Sequence, residues 1–179
     1  MISTKDLGKI APNLKDPKLT LICKGLNEAM DKFGISTPAC QAAFIAQVMH
    51  ESGEGRYMAE LASGEAYEGR KDLGNTQPGD GVKFKGRGLV QITGRANYAA
   101  ISKDLGIDFI ANPALLEQMP YAAMSAAWFW KTHNLSNVIA QLGNTKDAFE
   151  VITKKINGGL NGFEDRLKYW GRTTLSMFS

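Results

Sequence analysis

The stretch AAFIAQVMHESGEG, residues 42–55, decides how the rest of the chain is organised. Its first half is almost entirely apolar and predicts a buried helix, which the glycines at positions 53 and 55 then end. At helical spacing, Glu51 shares one stripe with three apolar side chains, namely Cys40, Phe44 and Val48. Partial burial and the negative end of the helix would both favour the protonated form of Glu51, which a general acid requires. The alternative is a solvated glutamate at a frayed helix end.

Further helices are predicted on both sides of this stretch. The pairs Asp16-Pro17 and Thr37-Pro38 each combine a capping residue with proline, and Gly34 is a natural helix end. Apolar spacing predicts the other helices over residues 2–10, 95–105, 120–133, 145–156 and 162–177, with a short one after Asn112-Pro113. Most aromatic side chains of the 120–133 helix are expected in the core. We therefore predict one mainly helical domain over residues 1–179, with at most a small, short-stranded sheet.

Residues 53–84 differ from the rest because glycine and polar residues replace the apolar periodicity. Long irregular segments inside a compact domain are usually functional. Behind this segment, Leu89, Gln91 and Thr93 alternate with Val90 and Ile92, which predicts a short strand. Gln91 and Thr93 would share its polar face. The irregular segment and this strand are expected to wall a cleft.

Composition excludes several classes of function. The formal net charge of +3 suits an anionic polymer, but no lysine–arginine block indicates nucleic-acid binding. The two histidines, His50 and His133, lie far apart in sequence, so we expect no zinc site and no cofactor. No apolar run reaches the roughly 18 residues of a membrane span. A GxSxG turn and both phosphate-loop patterns are missing.

The start of the chain and its cysteines predict the compartment. MISTKDLGKI has no basic region followed by an apolar core, so we expect no signal peptide. Cys23 and Cys40 lie in apolar helical runs and are predicted to be buried free thiols, as in a reducing compartment.

Paired carboxylates remain as the candidate chemistry, because hydrolysis of a glycosidic bond uses one neutral and one ionised carboxyl group. Four glutamates could face Glu51, at positions 54, 60, 65 and 68. Glu60 is favoured because Arg56, four residues earlier, would stabilise its charged form if the segment were helical. Gln91, Thr93 and Asn97 could hold the attacking water. Thr93 could instead cap the following helix, and Asn97 could lie on the surface.

The motifs HESGEG, KGRGLVQITGRANY and VITKKINGG, with an arginine in the final helix, resemble the family 19 glycoside hydrolases, from about residue 33 to 170. This is the plant-type chitinase fold that bacteriophage endolysins also use. The resemblance implies that Glu51 is the general acid and Glu60 the general base, with Thr93 holding the nucleophilic water. It assigns substrate binding to six further residues, namely His50, Gln91, Asn97, Tyr98, Asn157 and Arg166. Arg172 is the alternative to Arg166, and Glu65 and Glu68 remain alternatives to Glu60.

The resemblance also implies the fold and the reaction. The fold is the lysozyme-like, mainly α member of the α+β class, with a large and a small lobe around a cleft. The reaction inverts the anomeric centre, which predicts a separation of about 6.5–9.5 Å between the two carboxyl groups. The compact size, the missing signal peptide and the absent chitin-binding module look more like the endolysin branch than a secreted chitinase, and the chain also lacks the disulfides of plant members. We therefore expect a monomeric enzyme that cuts β-1,4 bonds in peptidoglycan glycan strands, accumulates in a host cytoplasm and reaches the wall through a holin pore. A chitinase and a non-catalytic wall-binding module are the alternatives.

Overall fold

The computed structural model describes residues 1–178, and within them the chain is mainly helical. The α-helices are α1 (Thr4–Ile10), α2 (Lys18–Phe33), α3 (Pro38–Glu51), α4 (Asp80–Lys83), α5 (Arg95–Leu105), α6 (Tyr121–Thr132), α7 (Leu135–Leu142), α8 (Lys146–Asn157) and α9 (Phe163–Phe178). Short 3-10 helices cover Glu65–Tyr67, Lys71–Leu73 and Pro113–Glu117. None of the helices in this part of the chain has the length and hydropathy that a membrane crossing requires.

Helix α3 is the buried centre of the fold, as its sequence predicts. It begins where the Thr37 hydroxyl accepts a hydrogen bond from the Cys40 amide at 3.2 Å, with Pro38 as its first residue. Residues 40–49 are all buried, and α3 packs chiefly along α9, with further contacts to α6 and α7. A helix surrounded in this way cannot shift easily, so its last residue, Glu51, has a fixed position.

The other predicted helices are confirmed to within one or two residues, apart from the one after Asn112, which is a 3-10 helix. Ser3 caps α1 and Thr145 caps α8 through their side chains. Pro17 precedes the first turn of α2 as its N-cap, and Asp16 accepts hydrogen bonds from Thr20 instead. Helix α7, for which we made no prediction, follows α6 after a single turn at Asn134, whose φ is 54°.

Two hydrophobic clusters match the predicted large and small lobes. The larger one surrounds α3 and draws on α1, α2, α6, α7, α8 and α9. The smaller one centres on α5 and contains seven buried side chains, namely Phe84, Ile92, Tyr98, Ile101, Phe109, Leu116 and Trp128. Trp130 and Trp128 are buried in the two clusters, respectively, as expected of core aromatics. Cys23 and Cys40 are buried free thiols, as predicted.

The predicted strand over Leu89–Thr93 is wrong. Within the described residues this part of the chain forms only isolated antiparallel bridges, between Ala59 and Arg87 and between Arg87 and Ile92. Gln91 has a left-handed backbone with φ of 57°, so the chain turns tightly and the alternation of faces is lost. The turn nevertheless packs beside the irregular segment through these bridges.

Candidate active site

Glu51 ends α3 with its carboxylate bound to a cation from the other end of the chain. Its Oε1 accepts a hydrogen bond from Nη2 of Arg166 at 2.5 Å. The Glu51 side chain is 20% exposed, whereas that of Arg166 is 3% exposed. The carboxylate is therefore half-buried, as predicted, and reachable from solvent. The local sequence around Glu51 gave no sign of this contact, because Arg166 lies 115 positions away.

A buried polar network holds Arg166 in place. Its Nη1 donates to Oε1 of Gln47 at 2.5 Å, and its Nε donates to the Asn161 carbonyl at 3.2 Å. Gln47 in turn donates to the Thr153 hydroxyl at 2.7 Å. Gln47 lies one helical turn before Glu51, so the same helix positions both partners of Arg166. Sequence reasoning missed Gln47, although a glutamine inside an apolar helix was a visible signal of a buried polar contact.

Glu60 is positioned by the irregular segment. Its amide donates to the Gly86 carbonyl at 2.9 Å, and its Oε2 accepts from the Tyr67 hydroxyl at 2.9 Å. Burial, together with the hydrogen bond to Glu60, raises the pKa of Tyr67, so this tyrosine remains a neutral donor. The other oxygen, Oε1, is buried and has no hydrogen-bond partner among the described residues. Glu60 can therefore accept a further proton donor at Oε1.

The expected support of Glu60 by Arg56 is wrong. Residues 56–60 are not helical, so the spacing of four residues does not bring the two side chains together. The Arg56 guanidinium lies 5.4 Å from the ring centroid of Tyr57 instead. Tyr67 takes the place of the arginine as the group that hydrogen-bonds Glu60.

Three oxygen atoms converge above Gly86. A Cβ atom built on this glycine would lie 3.0 Å from Oε1 of Gln91, 3.1 Å from Oε2 of Glu60 and 3.2 Å from Oγ1 of Thr93. Oε1 of Gln91 is buried and also has no partner within residues 1–178, while the Thr93 hydroxyl donates to the Gln91 carbonyl at 2.9 Å. Thr93 does not cap α5, whose N-cap is Gly94. The turn thus brings together the predicted residues 60, 91 and 93, although no strand forms.

Glu51 and Glu60 open into the same pocket. It has a volume of about 210 Å³ and is lined by Glu51, Tyr57, Ala59, Glu60, Leu61 and Gln91. Glu65 is exposed at a 3-10 turn and is not among these lining residues. Glu68 accepts hydrogen bonds from the amides of Gly79 and Gly81 at 2.7 and 2.8 Å, at the start of α4. Among the candidate partners, Glu60 is therefore the one that lines this pocket with Glu51.

Three of the predicted substrate-binding residues, His50, Asn157 and Asn97, form hydrogen bonds within the chain. His50 hydrogen-bonds Asp165 at 2.8 Å and is covered by Gly162, where a Cβ would lie 2.4 Å from the imidazole, so the 157–162 loop packs on the last turn of α3. Asn157 holds that loop by donating to two of its carbonyls at 3.3 Å. Asn97 is exposed one turn after Thr93 and donates to the Thr93 carbonyl at 2.9 Å.

The structure does not bring Tyr98 and Arg172 to the pocket. Tyr98 is fully buried, its hydroxyl donates to the Lys85 carbonyl and accepts from Arg87, and burial raises its pKa to about 12. Its place in the smaller cluster supports the loop that carries Gly86, so the predicted contact with substrate is not available to it. Arg172 donates to the Ile10 carbonyl, which leaves Arg166 as the arginine beside Glu51.

The described residues contain no group of three or more histidine, cysteine or acidic side chains that could hold a metal ion. The chemistry available to this pocket is that of two carboxyl groups on opposing elements. One belongs to a rigid helix and contacts a cation, and the other belongs to a loop and has an unpaired oxygen. That arrangement suits general acid–base catalysis.

Comparisons with known proteins identify the family of the chain. The family model for class I chitinases of glycoside hydrolase family 19 matches residues 35–168. A glycosyl hydrolase family 19 domain-containing protein of Haemophilus influenzae is 29% identical over 201 residues, covering 95% of this chain and 94% of that one. An Arabidopsis thaliana endochitinase is 37% identical over 119 residues, and these cover 66% of this chain but only 39% of the plant protein.

Solved structures agree with the sequence match. Chitinase C from Streptomyces griseus superposes with a TM-score of 0.79 at 25% identity, over 99% of this chain and 77% of that one. A class IV chitinase from Zea mays shows the same fold with a TM-score of 0.67 at 22% identity, over 96% of this chain and 85% of that one. Because the family model spans most of the chain and the fold agrees with it, this protein belongs to family 19 of the glycoside hydrolases.

Proposed function

We propose that this glycoside hydrolase is an endolysin that cuts β-1,4 bonds between the amino sugars of bacterial peptidoglycan with inversion of configuration. The observation that carries the proposal is the pocket that Glu51 and Glu60 share, with Oε1 of Glu60 buried and unpaired. Two carboxyl groups that face one small pocket can act on opposite sides of a bound sugar.

In the proposed reaction, Glu51 gives its proton to the oxygen of the leaving sugar. Arg166 holds Oε1 of Glu51, so Oε2 is the oxygen that carries the proton.

Glu60 takes a proton from water as that water attacks the anomeric carbon. Above Gly86, Oε2 of Glu60 lies beside Oε1 of Gln91 and Oγ1 of Thr93, and these oxygens would orient the water. The bond to the leaving oxygen breaks as the bond to water forms, and each carboxyl group ends with the charge that the other had at the start. His50, Asn97 and Asn157 are proposed to contact the glycan around the pocket.

We further propose that the chain acts as a monomer, accumulates in a host cytoplasm and reaches the wall through a holin pore. The two buried free thiols and the absence of disulfides among the described residues support a reducing compartment. The net charge of +3 would favour adsorption to an anionic wall.

A chitinase acting on chitin oligomers is the second candidate, because the Arabidopsis and Streptomyces griseus relatives are described as chitinases. Mass spectrometry of the reducing ends released from purified peptidoglycan, with chitin digested in parallel, tests both. New reducing ends in peptidoglycan support the endolysin and identify the linkage that is cut. Cleavage of chitin alone would reject the endolysin.

A third hypothesis, a non-catalytic wall-binding module, predicts no turnover of either polymer. Substitution of Glu51 by glutamine distinguishes this hypothesis from the endolysin and the chitinase. If Glu51 is the acid, Glu51→Gln lowers the turnover by about 10²-fold or more, while binding persists. Equal turnover in the two proteins would remove Glu51 from the mechanism.

A further inference from the structure

A second pocket lies beside the catalytic one, and its lining contains three cations and one anion. It has a volume of about 440 Å³, between the loop that joins α1 to α2 and the turn that follows α3. The lining residues are Asn13, Leu14, Lys15, Lys18, Gly53, Glu54 and Arg56. We refer to it as the basic pocket.

The ring of Tyr57 separates the basic pocket from the catalytic pocket. Tyr57 lines the catalytic pocket. Gly53 lines the basic pocket, and a Cβ atom on it would lie 3.0 Å from Cδ2 and Cε2 of Tyr57. The Arg56 guanidinium lies 5.4 Å from the centroid of the same ring. Tyr57 therefore lies at the border of both pockets, where a glycan bound on its ring would extend from one pocket toward the other.

The charge of the basic pocket is available to a ligand. Lys15, Lys18 and Arg56 are exposed, and none of them forms an ion pair with another described residue. The one acidic residue, Glu54, is only 6% exposed.

The carboxylate of Glu54 is turned inward and is already occupied. It accepts hydrogen bonds from the Asn13 amide at 2.6 Å, from Asn13 Nδ2 at 3.3 Å and from the Tyr169 hydroxyl at 2.8 Å. Burial and this contact raise the pKa of Tyr169, which keeps it a neutral donor. The pocket therefore presents three exposed cations to solvent, while its one carboxylate, that of Glu54, is buried and hydrogen-bonded to neutral groups.

We propose that the basic pocket binds a carboxylate of the substrate, supplied by the acidic peptide stems of the peptidoglycan strand held in the catalytic pocket. This inference rests on the proposed function and deepens it, because it names the part of the substrate that selects peptidoglycan over chitin. Chitin is an uncharged polymer and offers no such group. A carboxylate held by two or three cations would also orient the strand across Tyr57.

The test measures binding to insoluble polymers in a Glu51→Gln background, so that the polymers stay intact. The variant carries Lys15→Gln, Lys18→Gln and Arg56→Gln together. A matched control carries Lys5→Gln, Lys103→Gln and Lys131→Gln, three exposed positions that line neither pocket and change the net charge equally. Each protein is pelleted with purified sacculi, with sacculi whose carboxylates have been amidated, and with chitin.

We expect the triple substitution in the basic pocket to weaken binding to sacculi about tenfold at low salt, and the control triple to weaken it far less. Binding to chitin and to amidated sacculi should be the same for all three proteins. Sacculi stripped of phosphate polymers by acid should behave like untreated sacculi. A loss that needs those phosphates would assign the pocket to a phosphate ligand and overturn the carboxylate.

Other outcomes would also overturn the inference. If both triple variants weaken binding to sacculi equally, the effect is one of net charge alone. If the basic-pocket variant loses chitin binding as strongly as sacculus binding, the substitutions have changed the structure of the protein. The proposed function fails separately. If the chain with Glu51 intact releases no reducing ends from sacculi, the enzymatic proposal falls even where the binding results support the basic pocket.

Discussion

Removal of the Tyr67 hydroxyl, by Tyr67→Phe, isolates the electrostatic support of Glu60. The Tyr67 hydroxyl donates to Oε2 of Glu60 at 2.9 Å, and Oε1 of Glu60 has no partner in the described structure. The substitution therefore removes the side-chain donor that holds the Glu60 carboxylate. The phenylalanine keeps the ring and its packing. The Glu60 carboxylate loses the hydrogen bond to its Oε2.

The size of the effect follows from the geometry. A hydrogen bond to a charged group contributes about 1.5–3 kcal/mol when it is buried. Both side chains are only partly buried, so water replaces some of this, and we expect a loss of about 1 kcal/mol, which corresponds to a roughly fivefold fall in kcat/KM. Because the hydrogen bond fixes the orientation of the Glu60 carboxylate toward the pocket, we expect the loss mainly in kcat.

The assay measures kcat and KM on solubilised glycan fragments, for the wild type and Tyr67→Phe. Tyr121→Phe is the matched control, because its ring packs against Phe109 in the smaller cluster, away from the pocket. We expect kcat to fall about fivefold in Tyr67→Phe alone, with KM within about twofold of the wild type. An unchanged kcat, or an equal fall in Tyr121→Phe, would refute the reasoning.

Three further predictions concern the surroundings of the pocket. Gly86→Ala places a methyl group 3.0–3.2 Å from the side-chain oxygens of Gln91, Glu60 and Thr93, where the proposed water would lie. We expect kcat to fall at least about tenfold with little change in thermal stability. An unchanged kcat would show that the water does not lie at this position. Gln47→Leu leaves Arg166 without one buried acceptor and should lower the free energy of unfolding by about 1–3 kcal/mol in urea titrations, and a smaller loss would mean that the network relaxes. The Arg95 guanidinium lowers the pKa of the buried Asp80 carboxyl. The pair therefore stabilises the fold fully above the ordinary carboxyl pKa of about 3.9, and this stabilisation is lost as the pH falls through the lowered pKa of Asp80. Asp80→Asn should therefore be about 1–3 kcal/mol less stable than the wild type at pH 6 and converge with it in acid, and parallel curves would contradict the linkage.

The helical part of the fold was predictable because its signals are local. Thr37-Pro38 and the apolar run that follows decide where α3 begins, and the glycines after Glu51 decide where it ends. Capping, apolar spacing and chain breaks act within one or two turns, so the sequence displays them directly. The left-handed backbone of Gln91 has no such signal, and a pattern of alternating side chains predicted a strand there that the turn does not allow.

The contacts of the two carboxylates were not predictable from local spacing. Arg166 meets Glu51 across 115 positions of sequence, and only the family resemblance indicated that an arginine of the last helix belongs in the cleft. Tyr67 replaces Arg56 beside Glu60 because residues 56–60 are irregular, so a spacing of four residues has no geometric meaning. Tyr98 shows the opposite case, where a motif residue supports the site from the core without reaching it.

The anomeric configuration of the first product tests the central claim most directly. Proton NMR can follow a β-1,4-linked glycan substrate during the first minutes of hydrolysis, before mutarotation mixes the two forms. If Glu60 activates water on the face opposite the leaving sugar that Glu51 protonates, the new reducing end appears first as the α-anomer, and Glu60→Gln abolishes its formation. A β-anomer formed first would contradict the account, because it would require a covalent intermediate and a second displacement.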